Sequence, residues 1–171
     1  MFKSNIKNVK KMITDEYLVA RIGAMVFGIY CRDVKNVYSE KIKLVKLYYQ
    51  TRIFRGVAHI DGQVMQLIDL RRRVGMEDHS GGEMLTVISF QTNMSTVFGV
   101  VVDEIIGMKK VSEDQLITHS SSLNNSNANI NLLFPMVALL EDGEMIHLLD
   151  STYLDKTEQV LEEETGDLEL F

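Results

Sequence analysis

The chain has 171 residues, 18 Lys and Arg against 24 Asp and Glu, a formal net charge of −6 and one cysteine, Cys31. That length suits one domain or two small, closely packed lobes. A folded chain of this size buries roughly 70% of its extended-chain surface, so it needs no metal or disulfide staple. The acidic balance disfavours non-specific nucleic-acid binding, which is driven by Lys and Arg neutralising phosphates. An unpaired cysteine fits a reducing compartment. No stretch near the start joins a basic segment to an apolar run and a small-residue cleavage site. The longest apolar runs, such as 98–102, fall far below the ~18 residues of a membrane span. A soluble cytoplasmic protein without direct membrane insertion is expected.

Residues 1–14 read as a basic arm carrying Lys3, Lys7, Lys10 and Lys11, with Phe2, Ile6 and Val9 as a short apolar stripe able to dock on the body. From Tyr17 the pattern is strand-like: Tyr17, Val19 and Arg21 alternate with Leu18, Ala20 and Ile22, and Gly23-Ala24 turns the chain before a second strand, 26–30. Short helices of about two turns are expected over 31–37 and 102–108. Asp61-Gly62 sits between apolar runs and signals a tight hairpin, because Asp and Gly tolerate the positive φ such turns demand. A further strand follows over 64–70, and Ser80-Gly81-Gly82 breaks the chain again. A second hairpin is expected from 84–91 and 96–102, around Thr92–Ser95. The Ser- and Asn-rich stretch 120–131 reads as a surface loop, since such side chains compete for backbone hydrogen bonds. A helix over 150–164 leads into an acidic tail, 156–171, with Glu162, Glu163, Glu164, Asp167 and Glu169. The region between arm and tail, 15–155, is the folded domain.

The chain also echoes itself. Val26-Phe27-Gly28-Ile29 recurs as Val97-Phe98-Gly99-Val100, each copy followed by an acidic residue, Asp33 or Asp103. Val57-Ala58-His59-Ile60, with its Asp-Gly turn, recurs as Val137-Ala138-Leu139-Leu140 followed by Asp142-Gly143. A strand then runs into Leu-Ile-Asp at Asp69 or Leu-Leu-Asp at Asp150. Two repeats of this length are too long for a solenoid and too few for an array. They imply an all-β fold of two similar small β subdomains, each a closed or nearly closed sheet that hides its strand edges.

Chemistry-bearing constellations are missing. His59, His79, His119 and His147 lack ligand-spaced partners, and no nucleophile elbow, Walker loop or dinucleotide fingerprint occurs. His59 and His147 fall at related places of the repeat and read as strand-face residues. Cys31, flanked by Ile29, Tyr30 and Val34, reads as a small buried hydrophobe. Arg71-Arg72-Arg73 is either a solvated strand terminus or a contact for an acidic surface. No cofactor, metal or catalytic role is expected. A nucleic-acid-binding barrel is disfavoured by the charge and by the lack of an aromatic platform. A ligand-binding or enzymatic β domain would need convergent polar groups in a pocket.

Three passages resemble the CheW family of chemotaxis coupling proteins: Tyr17-Leu18-Val19 through Phe27-Gly28-Ile29 to Val34 and Val37; Arg55-Gly56-Val57-Ala58-His59-Ile60-Asp61-Gly62-Gln63-Val64 on to Arg71; and Val97–Asp103 with Ile105. The resemblance implies two related five-stranded SH3-like β barrels, with short helices and a C-terminal helix, and no enzymatic activity. It implies a scaffold that joins the cytoplasmic tip of chemoreceptors to the regulatory domain of a CheA-type histidine kinase, recruited to membrane receptor arrays. By motif, the receptor groove between the barrels would involve Cys31, Val34, Val37, Val100, Val101 and Val102. Kinase-facing positions would be Leu44, Val45, Leu47, Ile60, Asp61 and Gly62. Two departures stand out. The usual Asn-Leu-Arg-Gly is His59-Ile60-Asp61-Gly62 here, which reverses a charge, and the usual Pro-rich stretch upstream is Tyr48-Tyr49-Gln50-Thr51. A divergent module serving a non-standard receptor or kinase is the alternative reading.

Overall fold

The computed structural model describes residues 13–46, 53–77, 84–90, 97–118 and 128–154. Its strands are β1 (Thr14–Ile22), β2 (Met25–Tyr30), β3 (Val34–Lys41), β4 (Leu44–Val45), β5 (Phe54–Ile60), β6 (Gln63–Asp69), β7 (Met84–Phe90), β8 (Val97–Val102), β9 (Glu104–Ser112), β10 (Leu116–Thr118), β11 (Met136–Leu139) and β12 (Met145–Leu149). Two short helices, α1 (Leu70–Arg73) and α2 (Ala128–Leu133), and a 3-10 turn at Glu113–Gln115 complete the described elements. No helix among the described residues is long and apolar enough to cross a membrane.

The strands form two six-stranded sheets. The first runs β10-β11-β12-β2-β1-β9 and the second β4-β5-β6-β8-β7-β3. Read side by side, these orders match strand for strand, so the fold has an approximate internal two-fold. Each sheet contains a single parallel pair, β12 with β2 and β6 with β8, in equivalent registers: Leu148 opposes Gly28, and Leu67 opposes Gly99. The sequence echo is therefore structural, but a repeat is not a subdomain. The first repeat places β1 and β2 in the first sheet and β3–β6 in the second, and the second repeat does the reverse. Each sheet is completed by a hairpin from the other half of the chain.

The Phe-Gly step at the centre of the echo accounts for this packing. Alternate strand residues face opposite sides, so Phe27 and Phe98 enter one core while Gly28 and Gly99 face another. The shared core between the sheets includes Phe27, Ile29, Ile68, Ile88, Phe98, Val100 and Val102, sealed by Leu133 and Phe134 from the end of α2. Each sheet also wraps a core of its own: Val19, Val111, Ala138, Ile146 and Leu148 in the first, and Ile42, Ala58, Met65, Leu67, Val87 and Val101 in the second. A Cβ on Gly99 would sit 2.5 Å from Val87 Cγ1 and 2.8 Å from Leu67 Cδ2. On Gly28 it would sit 3.1 Å from Ile146 Cγ2. Glycine is needed where side chains of the strands on both sides fill the space.

The chain crosses between sheets at two equivalent places, and both are latched. After β2, the Asp33 carboxylate accepts a 2.8 Å hydrogen bond from Ser151 Oγ. After β8, Asp103 takes a bidentate pair from Arg71 and a 2.6 Å bond from the Gly23 N–H in the β1–β2 turn. Asp69 is 1% exposed. It caps α1 by accepting from the Arg71 N–H at 3.0 Å, with Arg55 Nη1 at 3.5 Å and Arg72 Nε at 3.7 Å.

Several expectations are revised. Residues 31–37 are a turn followed by β3, and 102–108 are the end of β8 and most of β9, so neither is helical. The loop expected over 120–131 ends in α2, which begins at Ala128. The 84–91 and 96–102 segments do pair as antiparallel β7 and β8, while the turn between them lies outside the described residues. Of the 150–164 helix only the turn Thr152–Leu154 falls within them. His79, His119, the basic arm before Ile13 and the acidic tail also lie outside. The second sheet's outermost strands, β3 and β4, are not paired with each other, nor are the first sheet's β9 and β10, so neither sheet is closed by hydrogen bonds.

Gly99→Ala is expected to cost about 1–3 kcal/mol, as overpacking of a filled core does, and Gly28→Ala less. Asp69→Ala, which strands Arg55, is expected to cost about 3–5 kcal/mol. Urea unfolding followed by circular dichroism measures all three.

Candidate protein-binding surfaces

The turn Cys31-Arg32-Asp33 carries the chain from the first sheet into the second. It is fixed by the Cys31 N–H on Glu16 O at 2.9 Å and the Asp33 N–H on Tyr30 O at 2.9 Å. Arg32 lies over the Tyr30 ring at 5.5 Å, and Tyr30 in turn faces Tyr17 with ring centroids 5.6 Å apart. Beyond the turn, β3 opposes β7, with Val34 across from Phe90 and Val37 across from Ile88. Ile88 and Phe90 are buried in the shared core, so β3 brings its apolar side chains to the rim of that core. Val34 is half-buried against it, and Val37 is 42% exposed.

Two further rim residues escaped the sequence reading. Leu18 is half-buried against the shared core and opposes Ile29 on one side and Met108 on the other. Met108 is 62% exposed on the outermost strand of its sheet. The alternation along β1 already placed Leu18 in phase with Ala20 and Ile22. Only the pairing with β9 showed that Met108 extends the same face.

The other groove residues named from sequence are placed differently. Val100 and Val102 are buried in the shared core and Val101 in the second sheet's own core. Val100 and Val102 back the rim from beneath, Val101 faces the other way, and none of the three offers a side chain to a partner. Cys31 is half-exposed. Burial raises its thiol pKa, Glu16 adds to the rise, and a hydrogen bond with the Leu18 backbone opposes it. At neutral pH the group is a neutral thiol, a small apolar surface rather than a nucleophile.

The kinase-facing positions named from sequence gather at the second sheet's β4 edge. Leu44 opposes Ala58 and packs inward, Val45 opposes Val57, and His59 opposes Val64 across the β5–β6 hairpin. Val45 is 56% and Val64 68% exposed, forming with His59 a partly apolar outer face. Gly56 allows β4 to close in, because a Cβ there would lie 2.8 Å from Val45 O. At the hairpin tip, Asp61 and Gly62 have φ of 50° and 75° and are exposed, whereas Ile60 is buried. The tip therefore presents the Asp61 carboxylate but not the Ile60 side chain. Leu47 lies outside the described residues.

The arginine cluster is used mostly within the fold. Arg71 is held by Asp103, which raises its pKa against the opposing effect of burial, and Arg72 turns toward Asp69 and donates to Phe54 O at 3.4 Å. Arg73 Nε and Nη2 are buried without a hydrogen-bond partner among the described residues, and burial lowers its pKa. Among the described residues no three His, Cys, Asp or Glu side chains gather as a metal site.

Exposed apolar side chains at a sheet junction and at a sheet edge, on a rigid two-sheet frame, define a protein-interaction module. A model of the CheW-like domain matches residues 16–157, and the chain belongs to that family of chemotaxis scaffold domains. Its fold is similar to the crystal structure of the scaffolding protein TtCheW from Thermoanaerobacter tengcongensis. The TM-score is 0.67 at 16% identity, covering 81% of this chain and 90% of that one. No curated protein sequence matches the chain.

Iodoacetamide is expected to alkylate Cys31 in the native protein at pH 7.5 more slowly than in the urea-unfolded chain, because the raised pKa leaves less thiolate. Mass spectrometry over time reads both rates.

Proposed function

We propose that this protein is a non-catalytic cytoplasmic scaffold that couples chemoreceptors to a CheA-type histidine kinase. In this reading residues 15–155 are the working domain, flanked by the basic arm and the acidic tail. A receptor helix lies along the junction rim of Leu18, Cys31, Val34, Val37 and Met108, with Val100 and Val102 buried in the core beneath it. An amphipathic helix in an apolar groove is the recognition mode this surface suits. The regulatory domain of the kinase meets the second sheet's edge at Leu44, Val45, Leu47 and the tip Ile60-Asp61-Gly62, with Val64 beside them. The observation that carries the proposal is the exposure of Val37 and Met108 directly over the core shared by both sheets. Exposed apolar side chains at such a junction mark an interaction site more readily than scattered ones do.

Asp61 supports a more specific version. The family's arginine is replaced by a carboxylate on an exposed turn, so a kinase contact built for a cation meets repulsion, and a kinase carrying a basic patch meets attraction. The module then serves a kinase whose charge complements Asp61.

Calorimetric titration of the full chain against a receptor-tip fragment and a CheA regulatory domain tests both parts. Val37→Asp is expected to weaken the receptor fragment at least about tenfold and to leave the kinase affinity unchanged. Asp61→Arg is expected to alter kinase affinity alone, upward for a kinase of the usual family pattern and downward for a complementary one. Binding of neither partner by a folded protein would overturn the coupling role.

A further inference from the structure

The two sheets share a backbone plan but not a surface. At one end of the first sheet an open cleft of about 510 Å³ is lined by Thr14, Lys110, Ser112, Gln115, Leu140, Glu141 and Asp142. The charge around it is mainly acidic: Glu113 and Asp114 on the 3-10 turn and Glu141, Asp142 and Glu144 around the β11–β12 turn stand against Lys110 in the lining and Lys109, which pairs with Glu144 at 3.4 Å. That turn is flanked by exposed apolar side chains, Leu139 at 42% and Met145 at 57%, which oppose each other across the hairpin. Ile117 on β10 adds a third, 50% exposed. The face is apolar, ringed by carboxylates and uncovered by any described residue.

The sequence supplies an occupant that begins at this cleft. Thr14, one of its lining residues, is the first residue of β1 and pairs with Ser112. The twelve residues before Ile13 carry Lys3, Lys7, Lys10 and Lys11 and no acidic residue. Phe2, Ile6 and Val9 recur at spacings of four and three, one face of a helical turn pattern, and Ile13, 67% exposed, continues it. Twelve residues reach about 18 Å as a helix and about 40 Å extended, so the β11–β12 turn of the same cleft is within range in either form. Tethering at Thr14 gives the arm an effective concentration of about millimolar, enough for a weak amphipathic contact to persist.

We infer that residues 1–12 dock in cis on this face, Phe2, Ile6 and Val9 against Ile117, Leu139 and Met145, and the lysines against the Glu113–Asp114 and Glu141–Asp142 carboxylates. Docking covers an apolar patch whose counterpart on the second sheet, Val45 and Val64, stays open. The arm thereby makes two otherwise equivalent edges different.

Paramagnetic relaxation in the full chain tests this, with a spin label on Ser4→Cys in a Cys31→Ser background. The expected result is loss of more than half of the amide signal at Ser112, Gln115, Leu140 and Asp142, with β3 and β6 unaffected. Raising salt to about 0.5 M shortens the screening length and is expected to restore the signal. So is Glu141→Gln combined with Asp142→Asn, which keeps the 3.0 Å acceptor for the Glu144 N–H. Independently of the label, replacing the four arm lysines by Gln in the otherwise unmodified chain is expected to shift the same cleft amides. No broadening at the cleft would overturn the inference. So would broadening passed to an isotope-labelled chain mixed with a spin-labelled one, which means docking on a second copy, or arm signals that respond only to anionic phosphatidylglycerol vesicles. Each of these results is independent of whether receptor or kinase binds.

Discussion

The structure depends on the parallel contact between the last strand of each repeat and the Phe-Gly strand of the other. Leu67 over Gly99 and Leu148 over Gly28 join the two halves of the chain at the centre of each sheet, and the antiparallel pairs β1–β9 and β3–β7 join them again toward the edges. One two-residue step serves two cores, because the phenylalanine fills the space between sheets while the glycine leaves room within its own sheet. Each sheet thus holds the hairpin lent by the other repeat on both sides, by the parallel pair and by the antiparallel strand next to it. The two subdomains are consequently interlocked through strands of both repeats and a shared core, and the rim lies at the junction between them.

The latches follow from the same crossing. Where the chain leaves β2 or β8 for the other sheet, its backbone turns and needs a partner for each exposed polar group. Asp33 and Asp103 stand at these turns and bind the segments that follow β12 and β6, so each acidic residue of the echo is tied to the other repeat's Leu-Ile-Asp or Leu-Leu-Asp end. Asp103 also holds the β1–β2 turn through Gly23. The turns that border the apolar rim are thus fixed by polar groups, which leaves Val37 and Met108 to face outward.

Much of this was legible in the residues. Alternation marked β1, apolar runs between turn signals marked β2, β6, β7 and β8, Asp61-Gly62 marked the β5–β6 hairpin, and the echo pointed to two related β subdomains. The echo could not show that repeats trade hairpins, since pairing between distant strands leaves no local mark. Two strands were read as helices for identifiable reasons. In β3 nearly every side chain is exposed, so Val34 and Val37 stood three apart with no alternation between them. In β9 the register shift opposite Val19 and Ala20 puts Ile105 and Ile106 side by side, and Gly107 interrupts the pattern before Met108. Irregular and exposed strands have no period to read, and these are the strands that carry the rim. The burial of Val100–Val102 was hidden for a related reason. A strand covered on both faces is uniformly apolar, and such a run looks the same whether it lines a groove or lies under one.

Backbone symmetry with charge asymmetry has a functional consequence. Lys35, Lys41, Lys43 and Lys46 outweigh Glu40 on β3, β4 and their flanks, while around the equivalent β9 and β10 the carboxylates of Glu113, Asp114, Glu141, Asp142 and Glu144 outweigh Lys109 and Lys110. Two edges of one shape therefore carry opposite fields, and association with a charged partner is steered to one of them. Asp61 lies on the basic sheet, at a turn whose positive φ the residue tolerates without strain. Its exposed carboxylate can alter that field locally without touching the core. A scaffold built in this way can change partners by surface charge while its two-sheet frame stays the same.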